Sequence, residues 1–220
     1  MNCLRSLGFI KKIGEKYKKY GLEIILAHPP EWEFEKNRNN ILLALKKLRI
    51  NFPLIVDKDK KIIKKLNIDF WPAQILMRNG KILYKHIGEG NYKSLEETII
   101  RFLKAKAKRI FNKEPKYSRF PAIYLGRRKN VRISNLKKKL KFGVVYIEGK
   151  WVQNKEFIKS IGKENSLTLL AKGKIINFVA ESLTKSSMKI HIKSNGNYIK
   201  NITIDKPQLY EIAKLNKNKQ

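Results

Sequence analysis

The chain has 220 residues, 42% of them apolar, which is enough for one large domain or two small ones and too many for a disordered chain. No apolar run approaches the ~18 residues of a membrane span, and Met1 leads into a charged segment rather than the roughly 7–15 apolar residues of a secretory signal. The formal net charge is +32, from 50 Lys+Arg against 18 Asp+Glu, so the chain will feel any polyanion.

The basic residues run through both halves, mostly as lysines on polar faces. The densest stretch, 104–141, is the candidate for weak, non-specific nucleic-acid binding. Neither zinc-finger spacing nor an aromatic-rich RNA-binding signature is present. One cysteine, Cys3, allows neither an intramolecular disulfide nor a zinc site of several thiolates. No cofactor and no metal are expected. High Lys and Ile content with a single Cys is compositionally compatible with a thermophile.

Residues 4–20 read as an amphipathic helix, with Leu4, Leu7, Ile10, Ile13 and Tyr17 at three- or four-residue spacing and Gly21 as its stop. LEIILAH (22–28) reads as a buried strand. PPEWEFEKNRNN breaks that strand and opens a helix completed by ILLALKKLRI. FPLIVD (52–57) is a second buried strand, and DKKIIKKLNI (59–68) a short helix. FWPAQILMRNGKILYKHIG (70–88) is a hairpin turning at Asn79-Gly80. The stretch EGNYKSLEETIIRFLKAKAKRIF ends in a last helix with Leu95, Ile99, Phe102 and Leu103 on one face. This alternation argues for an α/β layer, although it begins with a helix where a βαβ unit begins with a strand.

From about 105 to 120 the text turns basic, with Pro115 and Pro121 as breakers, and reads as helix end plus linker. Short strands follow: FGVVYIEG, WVQNKEF, SLTLLAKG, IINFVAES, MKIHIKSNG and NYIKNITID. Their spacing suggests a small β-sandwich. The expected organisation is therefore 1–108, an α/β domain; 109–120, a linker; and 121–220, a β-rich domain.

Five motifs in the first half resemble the thioredoxin-like module at the C-terminal end of DipZ-type disulfide reductases and related redoxins. They are Asn2-Cys3-Leu4-Arg5, the stretch His28 to Glu35 (HPPEWEFE), Phe52-Pro53 leading to Asp57, Phe70-Trp71-Pro72-Ala73, and Gly88-Glu89-Gly90-Asn91-Tyr92. The resemblance continues more weakly through Tyr124-Leu125-Gly126, Gly149-Lys150-Trp151 and Leu209-Tyr210, and stops at KLNKNKQ.

The resemblance implies a thioredoxin-like fold and thiol–disulfide exchange with a protein partner. Cys3 matches the inner, resolving cysteine of CxxC. Pro72 matches a cis proline that docks the substrate backbone, and Trp71, Trp32 and Glu31 lie where they would contact the partner. Taken by residue type alone, Cys3 is a small apolar residue at a helix start and Pro72 a strand-entry proline. The outer cysteine and the strand before it have no counterpart in residues 1–220, so the sequence is expected to be an N-terminally shortened or degenerate redoxin. With one thiol it forms a mixed disulfide but does not resolve it internally, which leaves its standing as an enzyme open.

A helix-start thiol is expected to favour the thiolate. His28, Glu31 and Glu35 are candidates for an acid–base or metal cluster, or for a hydrogen-bonded loop cap. Trp151, Tyr146 and Tyr198 are candidates for a ligand groove, or inward strand aromatics. Rival functions are a non-enzymatic protein- or glycan-binding protein on a thioredoxin scaffold, and a basic polyanion-binding protein. As written the chain reads as cytoplasmic, whereas the family often works outside the cytoplasm.

Overall fold

The computed structural model describes residues 2–114, 122–129, 132–135, 139–173, 175–184 and 186–214. The chain falls into two compact units, Met1–Tyr117 and Ser118–Gln220. The expected basic stretch 104–141 and linker 109–120 therefore lie partly outside the described residues.

In the first unit, helix α1 (Asn2–Tyr17) runs into a 3-10 turn, Lys18–Tyr20, which Gly21 closes at φ 90°. Strand β1 (Leu26–His28) pairs in parallel with β2 (Leu54–Val56), over three residues each. The expected seven-residue strand 22–28 is thus only half regular, because its partner offers no longer ladder; Ile25, just before β1, is 60% exposed. Between them a short 3-10 turn, Glu33–Lys36, precedes α2 (Arg38–Lys47). Asn37 caps α2, its Oδ1 accepting from the Asn39 amide at 3.0 Å.

Helix α3 (Lys61–Lys65) is capped by buried Asp57, whose Oδ2 accepts from the Ile62 and Ile63 amides at 3.0 and 3.1 Å. β3 (Ala73–Arg78) and β4 (Lys81–Ile87) form an antiparallel hairpin, with Asn79 and Gly80 both at positive φ. The architecture is mixed α/β, with two separate two-stranded sheets, β1–β2 and β3–β4.

Helix α4 (Tyr92–Leu103) ends earlier than expected, with Lys104 in the left-handed region. The following residues do not continue the helix; they return along it as a strap. Buried Glu96 accepts from the Ile110 and Phe111 amides at 2.7 and 2.9 Å and from the Tyr17 hydroxyl at 2.6 Å. Glu114 accepts from the Tyr92 and Lys93 amides at 3.2 and 2.7 Å, satisfying first-turn donors of α4 from 22 and 21 residues away. Phe9 stacks on Tyr92 at 4.5 Å, and Phe111 packs edge-on to Phe9 at 5.8 Å, so the strap closes the core. Within the stretch read as linker, Phe111 is buried and the Ile110 and Phe111 amides are held by Glu96, while Arg109 and Asn112 to Glu114 are exposed.

Among the described residues, the second unit contains three small sheets. β5 (Arg132–Ser134), β6 (Val144–Gln153) and β7 (Ile158–Leu169) form one; β8 (Ile175–Ala180) pairs with β11 (Gln208–Lys214), and β9 (Met188–Ser194) with β10 (Asn197–Ile204). The expected break at Gly149 is a bulge inside β6, while the turn lies at 154–157, where the Asn154 amide donates to the Phe157 carbonyl at 2.8 Å. Among the described residues, no helix is long and apolar enough to cross a membrane.

Candidate functional site

Specific bonds join the five motifs of the first unit in two groups, the His28 stretch with Asp57, and the first turn of α1 with the Pro72 segment and the Gly88–Tyr92 loop. The Asp57 amide donates to the His28 carbonyl at 2.9 Å, joining the ends of β1 and β2. Lys60, three residues on, places its ammonium 5.7 Å from the Trp71 ring centroid. The Gly88 amide donates to the Pro72 carbonyl at 2.7 Å, and Gln74 Nε2 to the Gly90 carbonyl at 3.0 Å. Arg5 then reaches across to Glu89, with Nε to Oε1 at 2.7 Å and Nη2 to Oε2 at 2.9 Å. The first turn of α1, the Trp71-Pro72 segment and the Gly88–Tyr92 loop are therefore one bonded assembly.

Cys3 sits in the first turn of α1, half-buried and free of a disulfide. Burial pushes its thiol above the ordinary value of 9.0, and the carboxylates of Glu35 and Glu31 push the same way. This runs against the expectation of a thiolate favoured by the helix start: burial outweighs the groups that pull the other way.

The Trp71–Pro72 peptide bond is cis, and Pro72 is buried. Trp71 is half-buried beneath Lys60, and Phe70 beside it is 59% exposed. Trp32 and Glu31 are half-buried in the loop after β1. Their amides both donate to Glu35 Oε2, at 3.2 and 2.8 Å, so Glu35 caps its own loop. His28 Nε2 lies 3.9 Å from the same oxygen, and burial pushes its pKa below 6.5, although Glu35 pulls upward. Among the described residues, no three His, Cys, Asp or Glu are grouped to hold a metal ion.

The aromatic trio of the second half lies on two sheets. Tyr146 is buried on β6 and its hydroxyl bonds the Lys139 carbonyl and the Lys141 amide. Trp151 donates to the Glu148 carbonyl at 2.8 Å. Tyr198, on a different sheet, is 58% exposed beside His191. The Arg5–Glu89 pair leaves no local pattern in the sequence, because its members stand 84 residues apart.

No family model matches the chain. It is 31% identical over 109 residues to Protein DipZ of Mycobacterium tuberculosis, covering 49% of this chain and 16% of that protein. It is 30% identical over 95 residues to the thiol-disulfide oxidoreductase ResA of Bacillus cereus, covering 43% of this chain and 52% of that protein. Among solved structures, StoA from Bacillus subtilis matches with 18% identity and a TM-score of 0.38, over 44% of this chain and 71% of that one. The chain thus spans about one sixth of the DipZ protein and about half of ResA. It carries a thioredoxin-like redoxin module resembling that of DipZ-type proteins.

Proposed function

We propose that the first unit is a thiol–disulfide exchange module in which Cys3 is the resolving thiol and Pro72 docks an extended segment of the partner protein. Trp71, Trp32 and Glu31 border that docking site. The observation that carries this reading is the bonding of the first turn of α1 to the Pro72 segment through Glu89 and Gly88. The half-buried position of Cys3, whose burial raises the thiol pKa, supports the resolving role, since an attacking thiol needs thiolate character and access.

In the reaction, an outer thiolate attacks a substrate disulfide, breaks its S–S bond, releases one substrate thiolate and forms a mixed disulfide with the other sulfur. The Cys3 thiol loses its proton, attacks the outer sulfur and releases the second substrate thiolate, and both released thiolates take up protons. Two electrons pass from the dithiol to the substrate. Cys3 is the single cysteine of these 220 residues, so its disulfide partner is a sulfur outside them. For the fold, we propose a thioredoxin-like sheet whose first strand is not represented in residues 1–220, with β1 and β3 presenting their edges to its position. The redoxin domain includes the strap to Glu114, and a β-rich, sandwich-like domain follows.

Mass spectrometry of the 220-residue chain after incubation with oxidised glutathione tests the reading. The expected result is one glutathione per chain, released by dithiothreitol, absent in Cys3→Ser, with insulin reduction at background. A folded chain whose Cys3 takes up no glutathione overturns the exchange reading, and catalytic insulin reduction overturns the resolving role. Intact mass of the protein from its own organism, alkylated after reduction, separates the rival. Two alkylated thiols support an oxidoreductase; one supports a binding protein on the same scaffold.

A further inference from the structure

Glu89 is a carboxylate with only 4% of its side chain exposed, in the loop Gly88-Glu89-Gly90. The two glycines have φ of 108° and 105°, outside the range that side-chain-bearing residues adopt comfortably. They bend the loop so that its backbone meets Pro72 and Gln74 while Glu89 meets α1. Burying a carboxylate is costly, and a buried ion pair is weak evidence for stability. A two-point guanidinium–carboxylate contact does fix distance and rotation together, which a single lysine bond does not.

The contact also brackets Cys3. Arg5 Nη2 donates both to Glu89 Oε2 at 2.9 Å and to Asn2 Oδ1 at 2.6 Å. Arg5 therefore grips the residue before Cys3 and is itself two residues after it, all within one helical turn. From Pro72 the path runs through the Gly88 amide to Glu89, then Arg5, then the turn that holds the thiol.

We infer that Arg5 and Glu89 are positioning residues that hold Cys3 in register with the Pro72 segment and keep its sulfur half-buried. The role for exchange rests on the function proposed above; the control of thiol reactivity stands on the ion pair alone. Without Glu89 the first turn loses its two-point tie to the Gly88–Gly90 loop, and the sulfur gains solvent. That change favours the thiolate. Glu31 and Glu35 are the carboxylates whose charge reaches the thiol in the intact chain, and they remain in the variant.

The test is the pH profile of Cys3 alkylation by iodoacetamide in the full chain, beside its thermal melt. Glu89→Gln is expected to melt cooperatively, with the alkylation midpoint lowered by about one pH unit and the rate near pH 7.5 raised roughly ten-fold. Arg5→Lys keeps both charges, loses the two-point grip, and is expected to shift the midpoint in the same direction by less. It carries the test alone if Glu89→Gln does not fold. Folded variants whose profiles superimpose on the wild type overturn the inference. Glutathione uptake by Cys3 reports separately on the exchange function, so a shifted midpoint without uptake would keep the positioning role and sink the exchange reading.

Discussion

Glu96 is wholly buried, yet its carboxylate is shared by three donors: the Tyr17 hydroxyl and the Ile110 and Phe111 amides. Glu96→Ala strands all three, and we expect a loss on the order of 3 kcal/mol in urea unfolding, with Glu96→Gln losing less because one acceptor oxygen remains. The same site predicts alkaline sensitivity. Burial first, then Glu96, raises the Tyr17 phenol above its ordinary 10.0, and burial with Glu114 pushes Tyr84 up to about 12. A raised phenol pKa means that the folded state holds the proton more tightly than the unfolded chain. This contribution is complete below pH 10 and is lost as pH rises towards 12 and beyond. Tyr84→Phe should make the decline of stability above pH 10 shallower; an unchanged slope would refute that assignment. Cys3, Pro72 and the loop glycines were legible because they stand in short motifs. The Glu96 and Glu89 contacts were not, because a buried acid finds donors brought to it by tertiary folding.

Helix α1 contains two glycines with opposite roles. Gly8 is exposed, and a Cβ there would meet nothing within 4 Å; Gly14 is buried, and a Cβ would lie 2.6 Å from Ile24 Cδ1 and 2.7 Å from Phe52 Cζ. Helix propensity alone favours alanine at both by roughly 1 kcal/mol. Gly8→Ala should realise that gain as a higher melting temperature. Gly14→Ala should lower it, since overpacking costs about 1–3 kcal/mol and both the Ile24 methyl and the Phe52 ring must shift to admit the Cβ. Equal gains at both positions would mean that α1 does not lie against Phe52 as described. Periodicity located α1 and α4 well, because their apolar stripes repeat over several turns. It failed where glycine has two meanings. Gly149, read as a turn, is a bulge at φ 86°, with Asn165 Oδ1 accepting from the Lys150 amide at 2.6 Å. Between β9 and β10, Asn195 and Gly196 both sit at positive φ, as a tight turn demands. The strap after α4 escaped because lysine and alanine there satisfy helix propensity, while Glu96 and Phe111 impose the reversal.

For the whole chain, 18 acidic groups paired one-to-one against 50 basic ones would leave 32 cations to repel each other. Several observed pairs are exposed, such as Lys36–Glu33 and Lys61–Asp59, and pairs of that kind contribute about 0–1 kcal/mol each. Salt screens both terms, with a Debye length of about 10 Å at 0.1 M. The attraction it removes is confined to a few short contacts, whereas the repulsion it relieves acts over the whole surface and is strongest in the compact state. The buried Arg5–Glu89 contact is screened least, because solvent ions reach Glu89 poorly. The melting temperature should therefore rise, by an amount on the order of a few degrees, between about 0.02 M and 0.3 M sodium chloride. Differential scanning calorimetry at fixed pH measures it directly. A fall in salt would mean that local ion pairs outweigh the global excess, and the net charge would then say nothing about stability and only something about what the surface attracts.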